Sequence, residues 1–191
     1  MKNNNYLDFL YHEIPDLTML TYPRSGKHWL YWNILTNTDL KVNFFHAIGK
    51  EYYKNNLCVP IITVVRSPEE CLASINTMEQ NTKIDNRLNE YINHYEFILE
   101  HADLFFAYED LKEKTPQIIE AICNRFGGTV LGSNHNFQEY ERWYKETQNP
   151  IKLITSKESV LYQDVLKQTK SLDLSKHKNL YFAAKSKAIK I

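Results

Sequence analysis

The 191-residue chain has little cysteine, no excess charge of either sign and no long apolar run. Cys58, Cys71 and Cys123 are odd in number and scattered, which excludes a disulfide framework and a zinc cluster and fits a reducing compartment. Its 23 basic residues balance 23 acidic ones, so no global field draws the chain to nucleic acid or an anionic membrane. Any anion site must therefore be local. No apolar stretch reaches membrane-spanning length. The opening Met1-Lys2-Asn3-Asn4-Asn5 leads into acidic and aromatic residues rather than an apolar signal core, so a soluble, cytoplasmic protein is expected. Internal repeats and low-complexity tracts are missing too. The length suits one well-cored domain over residues 1–191.

What the chain does have is a regular alternation. Apolar and β-branched runs at Leu17–Thr21, Val42–Phe45, Ile61–Val65 and Leu104–Ala107 read as strands. Amphipathic stretches at Gly26–Asn37, Pro68–Glu79, Asn86–His101 and Pro116–Phe126 read as helices, the last stopped by Gly127-Gly128. Such alternation predicts an α/β fold, a three-layer sandwich with a central parallel sheet flanked by helices. Glu90, Glu96 and Glu100 read as the solvated face of their helix. After residue 128 the pattern loosens into polar, aromatic and lysine-rich stretches. There Phe137, Tyr140, Trp143 and Tyr144 stand at helical spacing and read as core. Thirteen tyrosines and three tryptophans suit stacking surfaces and an aromatic core equally.

The most informative stretch is Leu20-Thr21-Tyr22-Pro23-Arg24-Ser25-Gly26-Lys27-His28-Trp29-Leu30. A buried strand feeds a tight turn at Pro23 to Gly26, and a helix follows with Trp29, Leu30, Ile34 and Leu35 on one face. The first backbone N–H groups of that helix are left unpaired, its dipole adds positive potential, and Arg24 and Lys27 add two full charges. That combination suits a phosphate or sulfate; a proline turn with two solvated basic residues fits the same letters. The phosphate-loop pattern G-x-x-x-x-G-K-[ST] is half met. Gly26-Lys27 is present, whereas Thr21 replaces the first glycine and His28 the magnesium-binding hydroxyl.

Two further junctions follow. The run Ile61–Val65 ends in Arg66-Ser67-Pro68, with Glu69 and Glu70 beside the helix start and Ser74 two turns in. A guanidinium fork and a hydroxyl can meet several phosphate oxygens at once, although a strand-end ion pair and an incidental serine fit as well. The strand Leu104–Ala107 runs into Tyr108-Glu109-Asp110-Leu111. Arg24, His46, Arg66 and Tyr108 all fall at carboxyl ends of predicted strands, where the crevice of a parallel sheet opens. Tyr108 and Trp29 also fit plain core aromatics.

Taken together, these segments resemble the sulfotransferase family, whose 5′-phosphosulfate loop is usually read T-Y-P-K-S-G-T-T-W. Here Thr21, Tyr22, Pro23, Ser25, Gly26 and Trp29 match, while Arg24 stands for the lysine and Lys27 and His28 for the two threonines. The resemblance extends from about Leu17 to Gly128 and implies a P-loop NTPase-like sandwich, with a divergent, helical C-terminal part. It implies that Ser25, Gly26, Lys27, His28 and the amides to Trp29 cradle a 5′-phosphosulfate, and that Arg24 neutralises the bridging oxygen with help from Lys27. Arg66 and Ser74 would hold the 3′-phosphate, Trp29 would stack on the adenine and Tyr108 would contact it. The family's base histidine usually sits in a K-T-H setting; His46 follows Phe44-Phe45, so the match is one of position. A histidine neutral near pH 7 can take the acceptor's proton, and one capping a strand end is the plainer reading. His12, His94, His101, His135 and His177 lack a comparable setting.

The activity implied is transfer of a sulfuryl group from 3′-phosphoadenylyl sulfate (PAPS) to a hydroxyl or amine of a small molecule or glycan, with no metal. Two other readings stand beside it. A phosphate-loop kinase or hydrolase using ATP and magnesium shares Gly26-Lys27, but lacks the hydroxyl at His28 and has Arg66 where an aspartate is wanted. A nucleotide-binding protein of the same fold without catalysis accommodates the departures at Arg24, Lys27 and His28. The family's late R-K-G segment has no counterpart. Ser156-Lys157 or Lys176, Lys178, Lys185, Lys187 and Lys190 are the available substitutes, the last five also reading as the solvated face of a terminal helix. Acceptor identity and oligomeric state are not set by the sequence.

Overall fold

The computed structural model describes residues 14–46, 59–78, 84–147 and 160–190. The element order is β1 (Leu17–Thr21), α1 (Lys27–Asn37), β2 (Val42–His46), β3 (Ile61–Val65), α2 (Pro68–Met78), α3 (Ile84–His101) and β4 (Leu104–Ala107). A 3-10 turn (Tyr108–Asp110), α4 (Thr115–Phe126), α5 (Phe137–Thr147), α6 (Val160–Lys170) and α7 (Ser175–Ser186) complete it. All four predicted strands and all four predicted helices are present, with ends displaced by a residue or two. Helix α1 begins at Lys27 because Gly26, at φ 85°, lies outside the helical region. Glu79, the expected end of α2, lies outside the described residues.

The sheet is parallel, in the order β2-β1-β3-β4. Strands β1 and β3 are buried at every position, which is why they read as continuous apolar runs rather than as an alternating pattern. Alternate residues serve opposite layers. Leu17, Met19, Ile62, Val64 and Phe106 pack with α1, α4 and α5. Leu20, Ile61, Val65 and Phe105 pack with α2, α3 and α7. Each fully buried aliphatic side chain stabilises the sandwich by about 1.5–3 kcal/mol relative to exposure. The fold is thus the expected three-layer α/β sandwich.

Beyond residue 128 the chain completes both layers. Tyr140 and Tyr144 of α5 are core, as their spacing predicts, whereas Phe137 is exposed. Helix α7 lies over the α3 side, and Ile189 N–H donates to the Phe105 carbonyl at 3.0 Å beside a parallel bridge from Ala188. That contact covers the outer edge of β4, which would otherwise offer an open ladder. Four of the tail lysines have partners within the protein. Lys176 pairs with Glu96, Lys178 with Glu69 and Lys185 with Glu109, and Lys187 Nζ donates to the Leu99 carbonyl. They fasten α7 to its neighbours. Ser156 and Lys157 lie outside the described residues. Among the described residues, no helix is long and apolar enough to cross a membrane.

Candidate functional site

Strands β1 and β3 are neighbours, and the chain leaves them toward opposite layers, α1 on one side and α2 on the other. A crevice at the carboxyl ends of such a pair is the usual ligand position in open parallel sheets. The loop after β1 is tightly folded. Ser25 N–H donates to the Tyr22 carbonyl at 3.3 Å, and Arg24 (φ 66°) and Gly26 (φ 85°) both adopt left-handed backbone. For arginine that conformation is costly, about 1–3 kcal/mol, and must be held by its surroundings. For Gly26 it is required twice over. A Cβ there would also stand 2.7 Å from Leu111 Cδ1 and 2.9 Å from the Tyr108 ring. Helix α1 has no side-chain cap and no acidic residue in its first turn, so its leading N–H groups face the loop.

Arg66 supplies what holds Arg24. Its Nη1 donates to the Arg24 carbonyl at 2.6 Å, and its Nε donates to Glu70 Oε2 at 2.9 Å. The Arg66 guanidinium carbon lies 4.0 Å from the centre of the Tyr108 ring, a cation–π contact. From the other side, Arg24 Nε donates to Ser74 Oγ at 3.0 Å. Arg24, Arg66, Ser74 and Tyr108, from three separate strand ends, therefore form one cluster. Burial and the adjacent Arg66 charge pull the Arg24 guanidinium below its ordinary range, though an arginine stays cationic at neutral pH. Helix α2 is well started for its part: Ser67 Oγ accepts the Glu70 N–H at 3.3 Å and Pro68 opens the first turn.

The remaining loop residues are placed as follows. Ser25 is fully buried and its Oγ has no hydrogen-bond partner, as is true of Thr21 Oγ1. Lys27 is 2% exposed, with Nζ 4.7 Å from the Phe44 ring centre, so it is not one of the solvated basic residues that the plain turn reading requires. His28 meets Phe44 and Tyr144 edge-on at 5.5 and 5.2 Å. Trp29, read as an adenine contact or a plain core aromatic, is 9% exposed. Its Nε1 donates to Leu111 O at 3.0 Å and to Thr115 Oγ1 at 2.9 Å, and Trp32, Phe137 and Tyr140 surround the ring. Helix α5, which the sequence did not connect with this loop, covers it. The Tyr108 ring packs against both Gly26 and the Arg66 guanidinium. His46 ends β2 opposite Thr21, at the carboxyl edge of the sheet; its side chain is outside the described atoms.

Three participants were not read from the sequence. Glu70, noted only beside a helix start, is the ionic partner of Arg66. Tyr91 and Tyr95 on α3 bond the Arg66 main chain. Their spacing of four marks one helix face, the one available signal, but Glu90 and Glu96, which flank the pair, read as a solvated face. Among the described residues, no group of three or more His, Cys, Asp or Glu is arranged to hold a metal ion.

No protein-family model matches the chain, and no curated protein matches it. Among solved structures, it is similar to the crystal structure of mouse sulfotransferase SULT7A1 complexed with PAP, at 15% identity and a TM-score of 0.49. That similarity covers 90% of this chain and 83% of the mouse chain.

Proposed function

We propose that the protein is a sulfotransferase that moves a sulfuryl group from PAPS to a hydroxyl or amine of a small-molecule or glycan acceptor. The observation that carries this reading is the contact between Arg66 and Arg24, cations brought together from two strand–helix junctions. Glu70 offsets the charge of Arg66, and a ligand with anionic groups at both ends would add compensation for Arg24 as well. Arg66 and Ser74 would bind its 3′-phosphate. Arg24, Lys27, Ser25, Gly26, His28 and the α1 amides would hold the 5′-phosphosulfate, and the partnerless buried Oγ of Ser25 fits an acceptor oxygen there.

In the transfer, the acceptor's oxygen or nitrogen bonds to sulfur and its proton passes to His46. The bond from sulfur to the 5′-phosphate oxygen breaks, and its electron pair stays on that oxygen. Arg24 stabilises the developing charge electrostatically, since its guanidinium does not donate a proton, and Lys27 adds a second charge close by. Metal is not needed, because a sulfate carries less charge than a terminal phosphate. The balanced net charge favours neither nucleic acid nor membrane as partner, and the cysteine pattern favours the cytoplasm.

The test is calorimetric affinity for adenosine 3′,5′-bisphosphate and for ATP, each with and without magnesium, followed by transfer of radiolabelled sulfate across hydroxyl and amine acceptors. Magnesium-independent preference for the bisphosphate, with transfer, is expected. Preference for magnesium-ATP points to the kinase or hydrolase instead. Bisphosphate binding without transfer to any acceptor points to a binding protein.

A further inference from the structure

Arg66 stands one residue past the last paired position of β3, where Val65 lies opposite Ala107 and the ladder ends. It is 4% exposed, so its main-chain N–H and C=O need partners within the protein. Two tyrosines of α3 provide them. Tyr95 Oη accepts the Arg66 N–H at 2.9 Å and donates to the Arg66 carbonyl at 2.8 Å, while Tyr91 Oη donates to the same carbonyl at 2.9 Å. The Cys71 thiol lies 4.0 Å from that oxygen, a weak fourth contact. Both tyrosine side chains are fully buried and stack on each other at 4.1 Å with 13° between ring planes. Burial raises both phenols above their ordinary range, so each keeps its donor proton at any working pH.

The same helix face reaches the first loop. Tyr22 lies edge-on to Tyr91 at 4.9 Å, and its Oη donates to the Arg87 carbonyl at 2.8 Å. Tyr22 in turn accepts the Ser25 N–H and sits two residues before Arg24. Residues 87, 91 and 95 are spaced by four and lie along one stripe of α3. That stripe is thus attached to both cation-bearing loops, by hydrogen bonds to one and by ring contact and a hydrogen bond to the other.

We propose that Tyr91 and Tyr95 are positioning residues, which set where the Arg66 guanidinium stands relative to Arg24 and so tune the site for a ligand with two separated anionic groups. The inference rests on the nucleotide reading given above and extends it to residues that touch no ligand. Loss of a hydroxyl lets the Arg66 backbone relax and the fork move from its place, while the Arg24 loop keeps the bonds that do not involve Arg66, Ser25 N–H to the Tyr22 carbonyl and Arg24 Nε to Ser74 Oγ. A merely structural role in the core would weaken all ligands together or none.

The experiment compares affinities for adenosine 3′,5′-bisphosphate and adenosine 5′-monophosphate in the unaltered protein, Tyr95→Phe, Tyr91→Phe and the double variant. The ratio of the two affinities is expected to fall about fivefold to tenfold in Tyr95→Phe, which loses both Tyr95 bonds to the Arg66 main chain, and further in the double variant. Monophosphate affinity should stay within about twofold. An unchanged ratio, or parallel loss of both affinities, overturns the positioning role. Should Tyr95→Phe fail to fold, Tyr91→Phe, which keeps both Tyr95 bonds, must still lower the ratio, and an unchanged ratio there overturns the inference. Failure of the unaltered protein to prefer the bisphosphate would instead overturn the nucleotide reading, and this inference with it.

Discussion

Arg24 and Ser74 are joined by a 3.0 Å hydrogen bond from Nε to Oγ, although 50 positions separate them in the chain. The bond ties the loop after β1 to the second turn of α2. It also places, side by side, two side chains assigned to opposite ends of one nucleotide. With Arg66 on the Arg24 carbonyl, two hydrogen bonds join the two junctions.

Arg66→Ala is expected to weaken binding of adenosine 3′,5′-bisphosphate by roughly 1.5–3 kcal/mol, the scale of a charged hydrogen bond. Titration calorimetry measures this directly. Unchanged affinity would remove the 3′-phosphate assignment.

His46→Ala should lower turnover by about a hundredfold or more, the usual reach of a general base, and leave bisphosphate affinity nearly untouched. Steady-state rates beside equilibrium binding separate the two effects. Equal loss of both would mean a structural histidine at the end of β2.

Gly26→Ala combines a disfavoured backbone conformation with a Cβ 2.7 Å from Leu111 Cδ1 and 2.9 Å from the Tyr108 ring. The substitution should destabilise the fold by about 2 kcal/mol or more and displace Tyr108 from beneath Arg66. Chemical denaturation reads the first effect and bisphosphate affinity the second. A variant as stable as the parent would show that the loop is not held as described.

Trp29→Phe distinguishes a core role from a stacking one. Loss of the indole N–H leaves the Leu111 carbonyl short of one donor, so stability should fall by about 1–3 kcal/mol. Nucleotide affinity, measured on the folded variant, should change by less than about twofold. A large loss of affinity at unchanged stability would restore the adenine contact.

His94 makes the fold sensitive to acid. Burial, with Lys27 adding to it, pushes its pKa down to about 3 from 6.5, and its Nε2 has no hydrogen-bond partner. Between those values the unfolded chain binds a proton that the folded chain does not. Stability is therefore complete above about pH 6.5 and declines as pH falls toward 3, by roughly 3 kcal/mol at pH 4.5 from this group. The unfolding midpoint should follow that course, and His94→Gln should flatten it. His135 and His177 shift in the same direction, so some slope remains. An identical slope in the variant would mean that His94 titrates normally.

Much of this was readable from the letters. Strands buried on both faces give unbroken apolar runs, and α4, with its proline start and Gly127 end, shows the amphipathic period, so these elements declared themselves locally. The cluster around Arg24 was half readable. Arg24, Arg66 and Tyr108 follow strand ends, with Ser74 two turns into the helix after Arg66, and the parallel order required those strand ends to share one edge. The sequence left Trp29 open between an adenine contact and plain core, because nothing in its own turn of helix shows that α5 will fold across it.

Local chemistry, then, decided the elements, the polarity of the sheet's functional edge and which residues stand there. Tertiary structure alone decided the partners: Glu70 on the Arg66 fork, two tyrosines on its backbone, and α5 packed against Trp29. Backbone propensity and apolar period act over a few residues and leave a trace in each stretch of chain. A hydrogen bond from Tyr95 to Arg66 spans 29 positions and exists only after the layers have packed.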